Sequence, residues 1–114
     1  KPSVREFAEK LIAGVNAHLA EVDARIVKYV ENFALDRLAA VDRNVLRLAI
    51  YEMLHCMETP PVVAINEAIE IARKFGGEDS GRFVNGVLDK FKGELTRPLR
   101  DAVVPRGDVK SARP

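Results

Sequence analysis

The sequence is poor in the residues that form disulfides and many metal sites, with one cysteine and two histidines. It also has no tryptophan. A single cysteine, Cys56, excludes an intrachain disulfide and any metal site built from several cysteines. No apolar run approaches the roughly 20 residues that span a lipid bilayer, and the first residues lack a signal-peptide pattern. We therefore expect no membrane association, a reducing environment and a cytoplasmic location.

Neither positive nor negative charge predominates, because the 114 residues carry a formal net charge of only +1. Bulk electrostatics alone would not hold such a chain on nucleic acid. The last 18 residues nevertheless hold five basic and two acidic side chains, whereas the first 96 hold 13 basic and 15 acidic ones. We expect one folded domain over residues 1–95 and a basic, flexible tail over residues 96–114. The tail is either simply solvated or a nucleic-acid-contacting arm.

Apolar residues of the body recur every three to four positions, which is typical of amphipathic helices, and strand alternation is absent. The pattern predicts an all-α fold. Its helical segments lie at about residues 4–33 (one bent helix or two), 42–55, 60–76 and 79–95. The third segment stops at the glycine pair 76–77, because glycine is the preferred residue just after a helix end.

The segment over residues 42–55 is apolar on nearly all sides, which predicts a central, buried helix with Asp42 as its N-cap. Arg47 on this helix is interpreted as a buried partner for a carboxylate or a helix end. Gly86, inside the last segment, predicts the close approach of another backbone. Asn66 and Asn85 are interpreted as buried hydrogen-bonding residues that fix helix register.

No arrangement of residues indicates catalysis, a metal site or a cofactor. His18 and His55 are interpreted as lone side chains, since neither H-E-x-x-H nor C-x-x-C spacing is present. Cys56 follows His55 directly, but neighbours on a helix rarely point at each other, so Cys56 is interpreted as a packed or half-exposed thiol. The sequence therefore predicts a protein that is not an enzyme.

Two segments carry a specific pattern, at residues 41–52 (V-D-R-N-V-L-R-L-A-I-Y-E) and at residues 61–76 with a continuation over residues 82–90. They contain the runs I-N-E-A-I-E and F-V-N-G-V-L-D at a characteristic separation. On these runs the sequence resembles the NusB family of bacterial antitermination factors. The resemblance is weaker over residues 5–33 and covers residues 5–92 in all.

The resemblance implies an all-helical fold of two small packed subdomains and a function without catalysis or cofactor. NusB-like factors pair with the ribosomal protein NusE, and the heterodimer binds boxA, a single-stranded element of nascent RNA. The complex helps RNA polymerase to resist premature termination, chiefly in ribosomal RNA operons. Alternative interpretations are a pure protein-interaction bundle or an accessory domain, such as the NusB-like domain of an RNA methyltransferase.

The resemblance also implies site residues. Asp79, Arg82 and Phe83 correspond to a turn that contacts RNA, where an aromatic ring stacks on an unpaired base and arginine pairs a phosphate. Asp42 and Arg43 lie on the segment implied to bind the partner. Each assignment has an alternative, because Phe83 is equally a core residue and both aspartates are equally helix N-caps.

The sequence departs from the family at its start, where members normally carry another helical stretch with an arginine-rich, RNA-contacting segment. We expect either that the chain is a fragment or that it binds RNA through a reduced surface. Loss of the first helices would leave apolar surface open, so homo-oligomer formation is a further prediction.

Overall fold

The computed structural model describes residues 2–30 and 34–102, and over these residues it contains helices and turns but no strand. The four helices are α1 (Pro2–Ala17), α2 (Leu19–Tyr29), α3 (Ala40–His55) and α4 (Pro61–Phe91), with 3-10 turns at Leu35–Arg37 and Lys92–Glu94. The all-α prediction is confirmed for this part of the chain. None of the described helices has both the length and the apolar run needed to cross a membrane.

Helix α3 occupies the centre of the fold, and α1, α2 and α4 all contact it. Its apolar residues fill the space between α2 and α4, which confirms the prediction of a central buried helix. The core side chains come from all three of these helices: Val22, Ile26, Val45, Leu46, Ala49, Ile50, Met53, Ala64, Ile65, Ala68, Ala72, Val84, Val87, Leu88 and Phe91.

The first helical segment is two helices, which separate at His18 (φ −115°, ψ 22°). Close to this break, α1 crosses α3 at Gly14, where a Cβ atom would lie 2.1 Å from the Tyr51 hydroxyl oxygen. A larger residue at position 14 would therefore force the Tyr51 ring to move. The prediction of a close approach at Gly86 is wrong, because nothing lies within 4 Å of a Cβ atom built there.

Two amide side chains of α4 also lie elsewhere than predicted. Asn66 and Asn85 are exposed to solvent, so their interpretation as buried residues is wrong. The buried face of α4 is made by residues such as Ala64, Ala68 and Val84, and the two asparagines project away from it.

Helix α1 carries an apolar face that the described residues leave largely open. Val4, Phe7 and Ile12 are 63%, 49% and 61% exposed, and no side chain over residues 4–17 of α1 is buried. Phe7 lines a cleft with Leu48 of α3 and Ile71 of α4. The predicted homo-oligomer would cover this face, and it stays a prediction.

Helix α2 is tied to α3 by an ion pair with two nearly parallel hydrogen bonds. Arg47 Nε donates to Asp23 Oδ1 over 2.8 Å, and Arg47 Nη2 donates to Asp23 Oδ2 over 2.9 Å. Both side chains are 22% exposed, so the pair is largely shielded from water. This confirms the interpretation of Arg47 as the partner of a carboxylate.

A second polar cluster ties α2 to the end of α4. The Glu94 carboxylate accepts hydrogen bonds from Lys28 (2.9 Å), Tyr29 and Arg25. The bonds from Lys28 and Tyr29 lower the pKa of Glu94 most strongly, to about 2. Glu94 is therefore ionised at neutral pH and holds three side chains of α2.

Arg97, which follows α4, binds the loop between α3 and α4. Its Nη1 atom donates to the carbonyl oxygens of Met53 (3.0 Å) and Cys56 (3.2 Å). Its Nη2 atom donates to those of Met57 (3.0 Å) and Thr59 (2.6 Å). One guanidinium thus satisfies carbonyl groups at the end of α3 and in the loop after it.

The start of the segment predicted as a flexible tail is therefore bound to the body. In addition to Arg97, the Leu99 carbonyl accepts a 2.9 Å hydrogen bond from the Val62 backbone N–H at the start of α4. The rest of the predicted tail, residues 103–114, lies outside the described residues.

We predict that Arg97→Ala lowers the free energy of unfolding by about 2 kcal/mol, because four charge-assisted bonds to partly buried backbone carbonyls are lost. For a domain of this size the melting temperature falls by roughly 10 °C. Arg100→Ala, in the same segment but exposed, is the matched control and should change little. Equal melting temperatures of the two variants in calorimetry would contradict the role of Arg97.

A second prediction concerns acid stability. Because folding lowers the pKa of Glu94 from 4.5 to about 2, its contribution is complete above pH 4.5 and is lost as pH falls toward 2. Glu94→Gln should be less stable at pH 7, and its urea-unfolding free energy should fall less steeply over that window. Glu58→Gln, at an exposed acid, is the control. Parallel pH profiles for wild type and Glu94→Gln would refute the assignment.

Candidate nucleic-acid interface

A single residue, Gly77, divides α4 into two straight parts. Its backbone angles (φ 90°, ψ 179°) are non-helical and lie in a region that is essentially restricted to glycine. The predicted helix stop at the glycine pair is therefore present as a kink, and the second part of α4 leaves in a new direction.

The two parts of α4 touch closely around the kink. A Cβ atom at Gly76 would lie 2.4 Å from Ser80 Oγ, and one at Gly81 would lie 3.4 Å from the Arg73 Cβ atom. Ser80 and Gly81 are buried by this contact. Small residues on both sides of Gly77 thus fix the angle between the parts.

Exposed charges surround the kink. Arg82 Nη2 donates to Asp79 Oδ1, and the two side chains are 71% and 97% exposed. Arg73 lies 3.5 Å from both Glu70 and Glu78. The Asp79 carboxylate bonds to Arg82, so the structure gives no support to its alternative role as an N-cap.

Phe83 lies one residue after Arg82, half-buried and packed against the core. This agrees with the core alternative for Phe83, and contact with RNA stays a prediction. Of the three residues predicted to contact RNA, Asp79 and Arg82 are thus at the surface and Phe83 lies between surface and core.

The N-cap alternative for Asp42 is wrong. Helix α3 begins at Ala40 with Ala39 as N-cap, whose carbonyl accepts the Arg43 backbone N–H over 2.9 Å. Asp42 lies in the first turn, where its negative charge is favourable at the positive end of the helix dipole. Arg43 Nη1 donates to the Leu38 carbonyl over 3.1 Å, so this side chain braces the entry to α3.

The start of α3 lies beside the kink of α4. A Cβ atom built on Gly76 would be 3.6 Å from Val41 Cγ1, and Val41 immediately precedes Asp42. The residues predicted for RNA and for the partner therefore belong to adjoining parts of one surface, although they are far apart in sequence. We call this the kink surface, formed by residues 41–43 and 73–83.

Phe75 is an aromatic residue on this surface that the sequence does not single out. Its ring is 67% exposed, and Lys74 Nζ lies 5.6 Å from the ring centroid. Its spacing from Ala68 and Ala72 is that of a core residue. The kink follows at once, and no described element covers the ring, so Phe75 reaches solvent.

The interpretation of His18 and His55 as lone side chains is also wrong. Their ring centroids are 4.2 Å apart, and His55 Nε2 lies 2.9 Å from Glu21 Oε1. They meet because the junction of α1 and α2 packs on the end of α3, which no local pattern reveals. The neighbouring Cys56 is partly buried, in agreement with its interpretation as a packed or half-exposed thiol, and burial raises the pKa of the thiol to about 11.

Comparison with known proteins shows which family this chain is similar to. The model of the NusB family matches residues 1–92. The transcription antitermination protein NusB of Solibacter usitatus is 50% identical over 98 residues, which are 86% of this chain and 66% of that protein. The protein of the same name from Anaeromyxobacter sp. is 56% identical over 92 residues, which are 81% of this chain and 64% of that protein.

Two solved structures are also similar. The chain matches T. maritima NusB with a TM-score of 0.80 and 45% identity, covering 85% of this chain and 68% of that one. A chain in the crystal structure of a plectonemic RNA supercoil matches with a TM-score of 0.72 and 33% identity, covering 77% and 64%. The chain thus spans about two thirds of the length of its relatives, which are named as antitermination proteins and not as enzymes.

The kink predicts opposite effects for two equivalent substitutions in α4. Gly77→Ala should destabilise the protein by about 1–3 kcal/mol, because alanine is strained at this backbone conformation. Gly86→Ala should stabilise it by up to about 1 kcal/mol, because alanine is the better helix former and Gly86 has open space around it. Chemical denaturation of both variants tests the kink, and equal effects would show that Gly77 is helical.

Proposed function

The chain belongs to the NusB family, and on this basis we propose that it is an RNA-binding transcription antitermination factor. The names of its relatives support the coarse function. A structural relative crystallised with RNA supports the ligand class. The finer assignment is boxA-type single-stranded RNA bound together with ribosomal protein NusE, within an RNA polymerase complex that acts on ribosomal RNA operons in the cytoplasm.

One observation carries the proposal: the Gly77 kink presents Lys74, Phe75, Asp79 and Arg82 to solvent beside the start of α3. Single-stranded RNA is recognised by stacking of its bases on aromatic rings and by pairing of its phosphates with cations. The kink surface offers both kinds of group within one short segment.

The exposed ring of Phe75 is suited to stack with an unpaired base. Lys74 already lies over that ring, so a base and a phosphate can be bound at neighbouring positions. Arg82 supplies a second cation, whose present partner Asp79 is almost fully exposed. Since exchange of one exposed ion pair for another costs little, Arg82 is free to turn to a phosphate.

A partner protein is part of the proposal for an electrostatic reason. The kink surface holds the acidic residues Glu78 and Asp79 close to its arginines, and Glu70 lies 3.5 Å from Arg73 just outside it. Acidic groups repel phosphate, so affinity for RNA alone should be modest. We assign NusE to the side of the surface formed by Asp42 and Arg43, where the partner would add RNA contacts that this chain lacks.

The direct test is a titration of boxA RNA with and without NusE. We expect weak binding by the chain alone and clearly tighter binding in the presence of the partner, measured by fluorescence anisotropy at fixed salt. RNA of equal length and scrambled sequence is the control. Affinity that does not rise with the partner would refute the composite surface and favour a protein-interaction bundle.

A second test separates Phe75 from Phe83. Phe75→Ala should weaken RNA binding by about 1–3 kcal/mol, the usual value of one stacked base, and leave the melting temperature unchanged. Phe83→Ala should lower the melting temperature by several degrees, because part of its ring packs against the core. Unchanged RNA affinity of the folded Phe75→Ala protein would remove Phe75 from the interface.

A further inference from the structure

Three side chains that bind metals in many proteins meet at the end of α3 opposite the kink surface. His18 lies at the junction of α1 and α2, Glu21 lies in the first turn of α2, and His55 is the last residue of α3. One ligand atom from each lies within 4.8 Å of the other two. This cluster plays no part in the proposed binding of RNA.

The ring of His18 is held in one orientation. Its Nδ1 atom lies 3.0 Å from the Gly14 carbonyl oxygen, which can only accept a hydrogen bond, so Nδ1 is the donor. In the neutral ring, the lone pair is therefore on Nε2. A backbone carbonyl that accepts from the second imidazole nitrogen is the usual support of a metal-binding histidine.

His55 and Glu21 are close to the separation that a shared metal ion requires. His55 Nε2 and Glu21 Oε1 are 2.9 Å apart, whereas two ligands of tetrahedral zinc, with bonds of about 2.0–2.1 Å, stand about 3.3 Å apart. A small rotation of the exposed Glu21 side chain makes up the difference. The Tyr51 ring lies in tilted contact with the rings of both His18 and His55 and limits their movement.

We propose that His18, Glu21 and His55 form a binding site for a divalent transition-metal ion of the zinc class. Two imidazoles and one carboxylate are donors that zinc accepts, whereas calcium and magnesium prefer sites made of oxygen alone. The three side chains leave a fourth tetrahedral position to water.

The ion would act as a cross-link between helices. It would join the junction of α1 and α2 to the end of α3, where residues 4–17 of α1 contribute no buried side chain. Metal binding should therefore stabilise the contact of α1 and α2 with α3. The nearby Cys56 thiol lies outside the cluster, so it is not a ligand in this proposal.

The experiment is calorimetric titration of the full chain with Zn²⁺ at neutral pH, together with thermal melts with and without the ion. We expect one ion per chain and a higher melting temperature with zinc. His55→Ala and Glu21→Gln should each weaken zinc binding by about tenfold or more. Glu21→Gln keeps the shape of the side chain, so its folded state can be compared directly.

Two controls decide the assignment. Cys56→Ser should bind zinc as the wild-type chain does, and loss of binding in this variant would place the metal on the thiol and refute the site. Glu58→Gln removes an exposed acid outside the cluster and should leave the affinity unchanged. Absence of zinc binding, or equal affinity in the His55→Ala and wild-type proteins, would overturn the proposal.

Discussion

Burial of α3 between α2 and α4 leaves the polar groups of that helix and both of its ends to be satisfied by other elements. The Asp23 carboxylate neutralises Arg47 on the flank of the helix. At the first turn, the negative charge of Asp42 is favourable at the positive end of the helix dipole. At the last turn, Arg97 returns from beyond α4 to bond the carbonyls. Much of the polar structure in the described chain therefore follows from one buried helix.

The same constraint separates the two candidate sites. Asp42 and His55 stand at opposite ends of α3, about 20 Å apart at 1.5 Å per residue. The kink of α4 lies against the first end, so exposed aromatic and basic groups collect there. The junction of α1 and α2 lies against the second end and forms the histidine cluster. An ion at the second end could thus stabilise the helices without contact with RNA bound at the first.

The sequence was sufficient for features that depend on local pattern. Helical periodicity identifies the helices. The position of Arg47 on a helix that is apolar on nearly all sides predicts that it pairs with a carboxylate or a helix end. Contacts between helices cannot be predicted from such local patterns. Gly14 and Gly86 both lie inside helices, and only the packed structure tells that the first touches Tyr51 and the second faces open space. The proximity of His18 and His55 escapes sequence reasoning for the same reason, since they meet only through tertiary packing.

The central claim is that the start of α3 and the kink of α4 form one binding surface. Backbone amide chemical shifts of the labelled chain, followed during titration with boxA RNA and then with NusE, test it most directly. The account predicts that RNA perturbs residues 73–83 first and that the partner extends the perturbation to residues 41–43. Perturbation confined to α1, or spread evenly over the chain, would contradict it.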